Sequence, residues 1–187
     1  MENKNKVAAG IIVAVVVVAV AVYLGFSGGF NTSVAPTQEE VQEQQKFAED
    51  TGASAVSEQG EVLNRIGEVA QNDVEPGSPE APQQSNPISE SQIPEKAVKL
   101  SVSASGFVPA EFTVKAGELL TISITSSDQW THVFAFHDPS MSAVAVGVGP
   151  GETRAITFNA PKAGEYQFYC NVPGHEARGE VGKMIVK

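Results

Sequence analysis

From Ala97 to Lys187 the chain alternates apolar and polar side chains in short runs: VKLSVSA, EFTVKAGE, LLTISITS, THVFAFHDP, AVAVGVGPGE, TRAITFNAPKAGE, YQFYC and VGKMIVK. A period of two places successive side chains on opposite faces of a strand, and Gly, Pro, Asp and Ser punctuate the runs at intervals of roughly 8 to 12 residues. No helical period survives in this region. The pattern predicts an all-β domain, a small antiparallel sandwich or barrel of about seven or eight strands. Phe107, Phe112, Phe134, Phe136, Phe158, Tyr166 and Phe168 are the expected aromatic core.

Upstream the texture is different. Val7 to Phe26 is an uncharged run of 20 residues, long enough as a helix to cross a hydrocarbon layer of about 30 Å. It is read as an uncleaved membrane anchor, residues 1–26. A cleaved signal peptide is the rival reading, but the first small-residue site after the run, Ser33-Val34-Ala35, is followed by Pro36. Lys4 and Lys6 precede the run and no basic residue follows until Lys46, a bias that puts the N-terminus in the cytoplasm and the rest of the chain outside it.

Residues 27–96 carry 13 acids against 3 bases and so account for the whole-chain net charge of −10. Low hydrophobicity with high charge predicts a disordered linker between anchor and sandwich. Two pieces could form transient helices: TQEEVQEQQKFAED, which opens with the capping box Thr37/Glu40, and SEQGEVLNRIGEVAQN, which spaces Val62, Leu63, Ile66, Val69 and Ala70 on one face. The third segment, residues 97–187, is close to neutral. With an acidic total, nucleic acid is not an expected partner.

The chain has 1 cysteine and 3 histidines. A lone thiol outside the cytoplasm cannot form an intrachain disulfide, so Cys170 stands out. Strand parity gives its surroundings. His132 shares a face with Phe134 and Phe136, Cys170 shares one with Tyr166 and Phe168, and Glu180 lines up with Gly182, Met184 and Val186. His137 falls on the opposite face and reads as a surface strand terminator. An imidazole, a thiol and a carboxylate are thus aimed toward one end of one core. A buried carboxylate without a partner is costly, and a cation resolves the cost while taking up the thiolate and a neutral imidazole nitrogen. His175, five residues after Cys170 across the Pro173-Gly174 turn, supplies a further donor. Two His, one Cys and a weaker fourth ligand is the layout of a mononuclear copper site.

GFVPAEFTVKAGE, Thr131-His132-Val133-Phe134, GEYQFYCNVPGH and GEVGKMIVK together resemble the cupredoxins, the plastocyanin and azurin family of copper electron carriers. The resemblance covers residues 97–187. It implies a Greek-key β-sandwich, one copper ion cycling between Cu(I) and Cu(II), and His132, Cys170 and His175 as ligands. In relatives with this loop a Met stands five residues after the second His; here that slot holds Glu180, which is the expected fourth ligand. Met184, more than about 12 Å further along an extended strand, aligns with a core hydrophobe, and Glu176 is expected to face water. A hard anionic oxygen favours Cu(II) over Cu(I), so the potential should fall and the colour should be green or red rather than intense blue.

Three functions are compatible with this reading. The first is single-electron transfer by a membrane-tethered extracytoplasmic copper domain, with redox partner proteins at the outer membrane surface and the His175 edge as the exit. The second is a copper enzyme or small-molecule sensor with an open position, which no additional acid or base cluster supports. The third is metal handling or zinc binding, since the same donors suit tetrahedral Zn(II), although copper binds such a set more tightly.

Overall fold

The structure, a computed structural model, describes residues 35–187. The apolar run Val7–Phe26 lies outside the described residues. Among the described residues no helix is long and apolar enough to cross a membrane.

Nine strands follow Lys96: β1 (Val98–Ser103), β2 (Gly106–Val108), β3 (Glu111–Val114), β4 (Leu119–Ser126), β5 (His132–Phe136), β6 (Val146–Val148), β7 (Thr153–Asn159), β8 (Gly164–Cys170) and β9 (Val181–Val186). They form a sandwich of two sheets, ordered β2-β1-β4-β7 and β3-β9-β8-β5-β6. The strand beyond the expected number is β2, only three residues long and too short to show alternation. The sandwich is also not purely antiparallel: β1 runs parallel to β4 and β3 runs parallel to β9. Local alternation reports which face a residue takes, not which distant strand it meets, so these two pairings leave no trace in the sequence pattern.

The expected core forms. Phe107, Phe134, Phe136, Phe158, Tyr166 and Phe168 are buried, and partly buried Phe112 stacks on Phe168 with ring centroids 5.8 Å apart. Phe134 packs edge-on against both Phe107 and Phe136, at 6.0 and 5.1 Å. This cluster lies beneath the site, because Phe134 pairs with Cys170 and Phe136 with Phe168 across β5 and β8.

The acidic segment differs from the disordered linker expected. From Ala35 onward it is folded as a strap and falls in the same compact unit as the sandwich. Its helix, α1 (Gln38–Thr51), starts at the capping box: Thr37 Oγ1 accepts from the Glu40 amide and Glu40 accepts from the Thr37 amide. Val41, Gln44, Phe47, Ala48 and Thr51 of α1 are buried. Phe47 packs with Ala53, Ile88 and Ala155 of β7, so a few apolar side chains offset the polar composition. Gln44 Oε1 accepts a 3.0 Å hydrogen bond from Thr121 on the outward face of β4, where Thr121 lies 2.8 Å from Thr157 of β7. Polar side chains, not apolar ones, make much of this contact, and average hydrophobicity therefore underrates it.

The second expected helix is absent from the described structure. Residues 57–72 instead form tight turns with the bridges Val56↔Val62 and Leu63↔Val69. Asn64 Oδ1 accepts from the amides of Ile66 and Glu68, both at 3.0 Å, capturing donors that a helix would have used. Ile66 and Val69, placed on the supposed apolar face, are exposed.

Candidate metal centre

Cys170 ends β8, His132 begins β5, and Glu180 immediately precedes β9. The ladder locks these three together. The Cys170 amide donates to the Glu180 carbonyl at 2.9 Å and the Asn171 amide to the Val133 carbonyl at 2.8 Å. Between Cys170 and Glu180 the loop is closed by the His175 amide donating to Val172 O at 3.0 Å and the Glu180 amide to His175 O at 3.3 Å. Gly182 is dictated by packing: a Cβ there would sit 2.3 Å from the Phe168 ring and 2.6 Å from Ala110 O.

The four side chains singled out from the sequence meet. One donor atom from each of His132, Cys170, His175 and Glu180 lies within 4.8 Å of the others, and all four residues are buried. Glu180 Oε2 lies 2.8 Å from His132 Nδ1 and 2.9 Å from His175 Nδ1. Cys170 Sγ lies 3.5 Å from His175 Nδ1 and 3.8 Å from His132 Nδ1, and it accepts from the Val133 amide at 3.3 Å. Met184 is not among these donors; it is fully buried in the apolar core.

Two residues that reach the site were not found from sequence. Asp128 Oδ1 lies 3.0 Å from His132 Nε2, and its carboxylate also accepts from the amides of Trp130 and Ala104 at 2.8 and 2.7 Å. Arg178 Nη2 donates to Glu180 Oε1 at 2.8 Å. The available signal was proximity in sequence, four residues before one candidate ligand and two before another, but both sit in turns where no period says which way a side chain points. Trp130, two residues before His132, is 57% exposed; Asp128 is what meets the His132 ring edge. His137 stacks on Tyr169 at 4.0 Å and its Nε2 lies 2.8 Å from Glu176 Oε1, so Glu176 is engaged at the surface.

The electrostatics favour a cation. His132 faces a carboxylate oxygen from each ring nitrogen, while a neutral imidazole carries only one N–H. A metal ion would remove the conflict: Nε2–H would donate to Asp128, leaving the Nδ1 lone pair and Glu180 Oε2 free to hold the ion. Burial is the largest influence on Glu180 and pushes its carboxyl up. Hydrogen bonds from His132, Cys170 and His175 outweigh that, and the net displacement is below the ordinary carboxylate range. Burial pushes the Cys170 thiol up, against the lowering effect of the Val133 and Val172 amides. Without metal Cys170 is therefore a thiol, and loading must displace its proton. Two imidazole nitrogens, one sulfur and one carboxylate oxygen fit copper, with the soft thiolate and the imidazoles supplying affinity.

The profile of the cupredoxin-like domain matches residues 81–186, more than half of the chain. The chain belongs to the cupredoxin-like family. Its match begins inside the strap, ahead of the boundary that alternation suggested at Ala97. Among curated proteins, this cupredoxin is 34% identical over 95 residues to a plastocyanin of Rumex obtusifolius, covering 45% of this chain and 90% of that protein. It is 35% identical over 94 residues to a nitrous-oxide reductase of Pseudomonas fluorescens, covering 48% of this chain but only 15% of that protein. The chain thus spans a small part of the reductase it matches. Among solved structures, the auracyanin of Roseiflexus castenholzii superposes with a TM-score of 0.45 at 23% identity, covering 50% of this chain and 98% of that one.

Proposed function

We propose that this cupredoxin is a single-electron carrier whose copper ion is held by His132, Cys170, His175 and Glu180. The observation that carries the reading is the convergence of two Nδ1 atoms and a thiol on one buried carboxylate oxygen. When bound, copper supplies the Cu(I)/Cu(II) couple. The protein's residues do the rest. His132 on β5, Cys170 on β8, His175 in the closed loop and Glu180 just before β9 are each fixed by ladder or loop hydrogen bonds, which would hold them in place as the ion changes oxidation state. Asp128 holds the proton on His132 Nε2 and so keeps Nδ1 as the metal-facing nitrogen. Of the two histidine side chains, that of His132 is fully buried and that of His175 is 9% exposed, which makes His175 the natural point of electron exchange with a partner protein.

The apolar run Val7–Phe26 and the lysines before it support a tether with the copper domain on the extracytoplasmic side. Redox partners then lie at the outer membrane surface. With copper bound, a hard Glu180 oxygen in place of a thioether would lower the potential and draw the site away from the strongly blue type.

Copper-loaded protein and its Glu180→Met variant test this reading by absorption and paramagnetic resonance. The variant is expected to move toward intense blue with a higher potential, and Cys170→Ser is expected to lose the sulfur-to-copper band. Identical spectra for wild type and Glu180→Met would remove Glu180 from the ligand set. A chain that takes up no Cu(II) would end the reading altogether.

A further inference from the structure

The two oxygens of Glu180 have different tasks. Oε2 faces the two histidine Nδ1 atoms at 2.8 and 2.9 Å, whereas Oε1 accepts the 2.8 Å hydrogen bond from Arg178 Nη2. The Glu180 side chain is 0% exposed and that of Arg178 is 41% exposed. The guanidinium thus enters the site from solvent while the carboxylate has none of its own. The backbone arranges this. Arg178 closes the short 3₁₀ turn Glu176–Arg178, and Gly179, at φ +101, lets the chain fold back so that side chains two residues apart can meet. Exposed ion pairs contribute little, but breaking a pair whose other member is fully desolvated leaves an uncompensated buried charge.

We propose that Arg178 is a positioning residue for the copper site: it pins Glu180 Oε1, so that only Oε2 is directed at the metal, and its charge shifts the redox balance toward Cu(I). This rests on the copper reading above. Thiolate and carboxylate together carry two negative charges, so the site is neutral with Cu(II) and negative with Cu(I). A fixed cation beside it therefore stabilises the reduced form more. Holding Oε1 also draws charge from Oε2 and withholds a second oxygen, which weakens the grip on the harder Cu(II). Both effects raise the potential and so counteract the lowering that the carboxylate imposes. A guanidinium suits the role because it stays charged at every accessible pH and presents a planar fork to a carboxylate.

The test compares full-length wild type, Arg178→Gln and Arg178→Lys, each loaded with copper, by reduction potential and Cu(II) spectrum, with thermal unfolding of the metal-free proteins as the check on folding. Arg178→Gln is expected to shift the Cu(II)/Cu(I) affinity ratio about tenfold toward Cu(II), a fall of about 59 mV for one electron, with an altered Cu(II) spectrum. Arg178→Lys restores the charge and is expected to recover most of that fall. A wild-type potential and spectrum in Arg178→Gln overturn the proposal, as does an Arg178→Lys potential as low as that of Arg178→Gln. Glu180→Gln separates the two readings. If it shifts the potential while Arg178→Gln does not, the copper site stands and the role of Arg178 falls. If the wild type takes up no Cu(II), both fall.

Discussion

His132 is constrained from both sides of its ring, by Glu180 at Nδ1 and Asp128 at Nε2. An outer carboxylate of this kind fixes the tautomer and strengthens the nitrogen that faces the metal. Replacing Asp128 by Ala is expected to weaken Cu(II) binding by about 10- to 100-fold, measured by competition with a chelator. Asp128→Asn keeps an oxygen that can accept from Nε2–H and should lose less; equal affinity in all three proteins would remove Asp128 from the site's function. That these four side chains would cluster was legible in the sequence because thiol and imidazole are scarce here and because strand parity aims His132, Cys170 and Glu180 inward. Asp128 and Arg178 were not, since a charged residue in a turn looks the same in sequence whether it meets solvent or a buried partner.

Among the elements, α1 shows how a local signal can be right while the reading of its segment is wrong. Thr37 and Glu40 form the capping box that the sequence announces, yet composition gave no hint that the helix would lie on the sandwich. LLTISITS places Leu120, Ile122 and Ile124 in the core, with Thr121 and Ser123 on the other face. That face is buried as well, because the strap covers it. Alternation identifies a polar face but not what lies against it. The hold of α1 depends on pH. Glu40, paired with Lys96 and accepting from Thr37, has its pKa lowered from 4.5 to about 2, with the Lys96 hydrogen bond as the main cause. A carboxyl lowered on folding stabilises the native state above its ordinary pKa, and that contribution is lost as pH falls from 4.5 toward about 2. Unfolding midpoints followed over that range should fall more steeply in wild type than in Glu40→Gln. Parallel curves would show that the pair does not help to hold the strap.

At the scale of the molecule, the strap makes a domain of residues 97–187 alone incomplete. Phe47 and Ile88 pack on Ala155, and Asn159 of β7 accepts from the Val62 amide at 2.9 Å and donates to Gly60 O at 2.9 Å. A chain truncated before Ala97 should therefore melt at lower temperature and aggregate more readily than one truncated before Ala35, which keeps the whole strap. Equal melting temperatures for the two truncations would reduce the strap to a spacer. Ser85 and Ile88 donate their amides to the carbonyls of Ala155 and Thr153, at 2.7 and 2.9 Å, along β7, the last strand of its sheet. Those carbonyls are already taken, so a neighbouring copy finds no template there for growing the sheet across molecules. Two copies that collide by this flank should then part again rather than fuse their sheets, and the corner that carries His175 stays outside any such encounter.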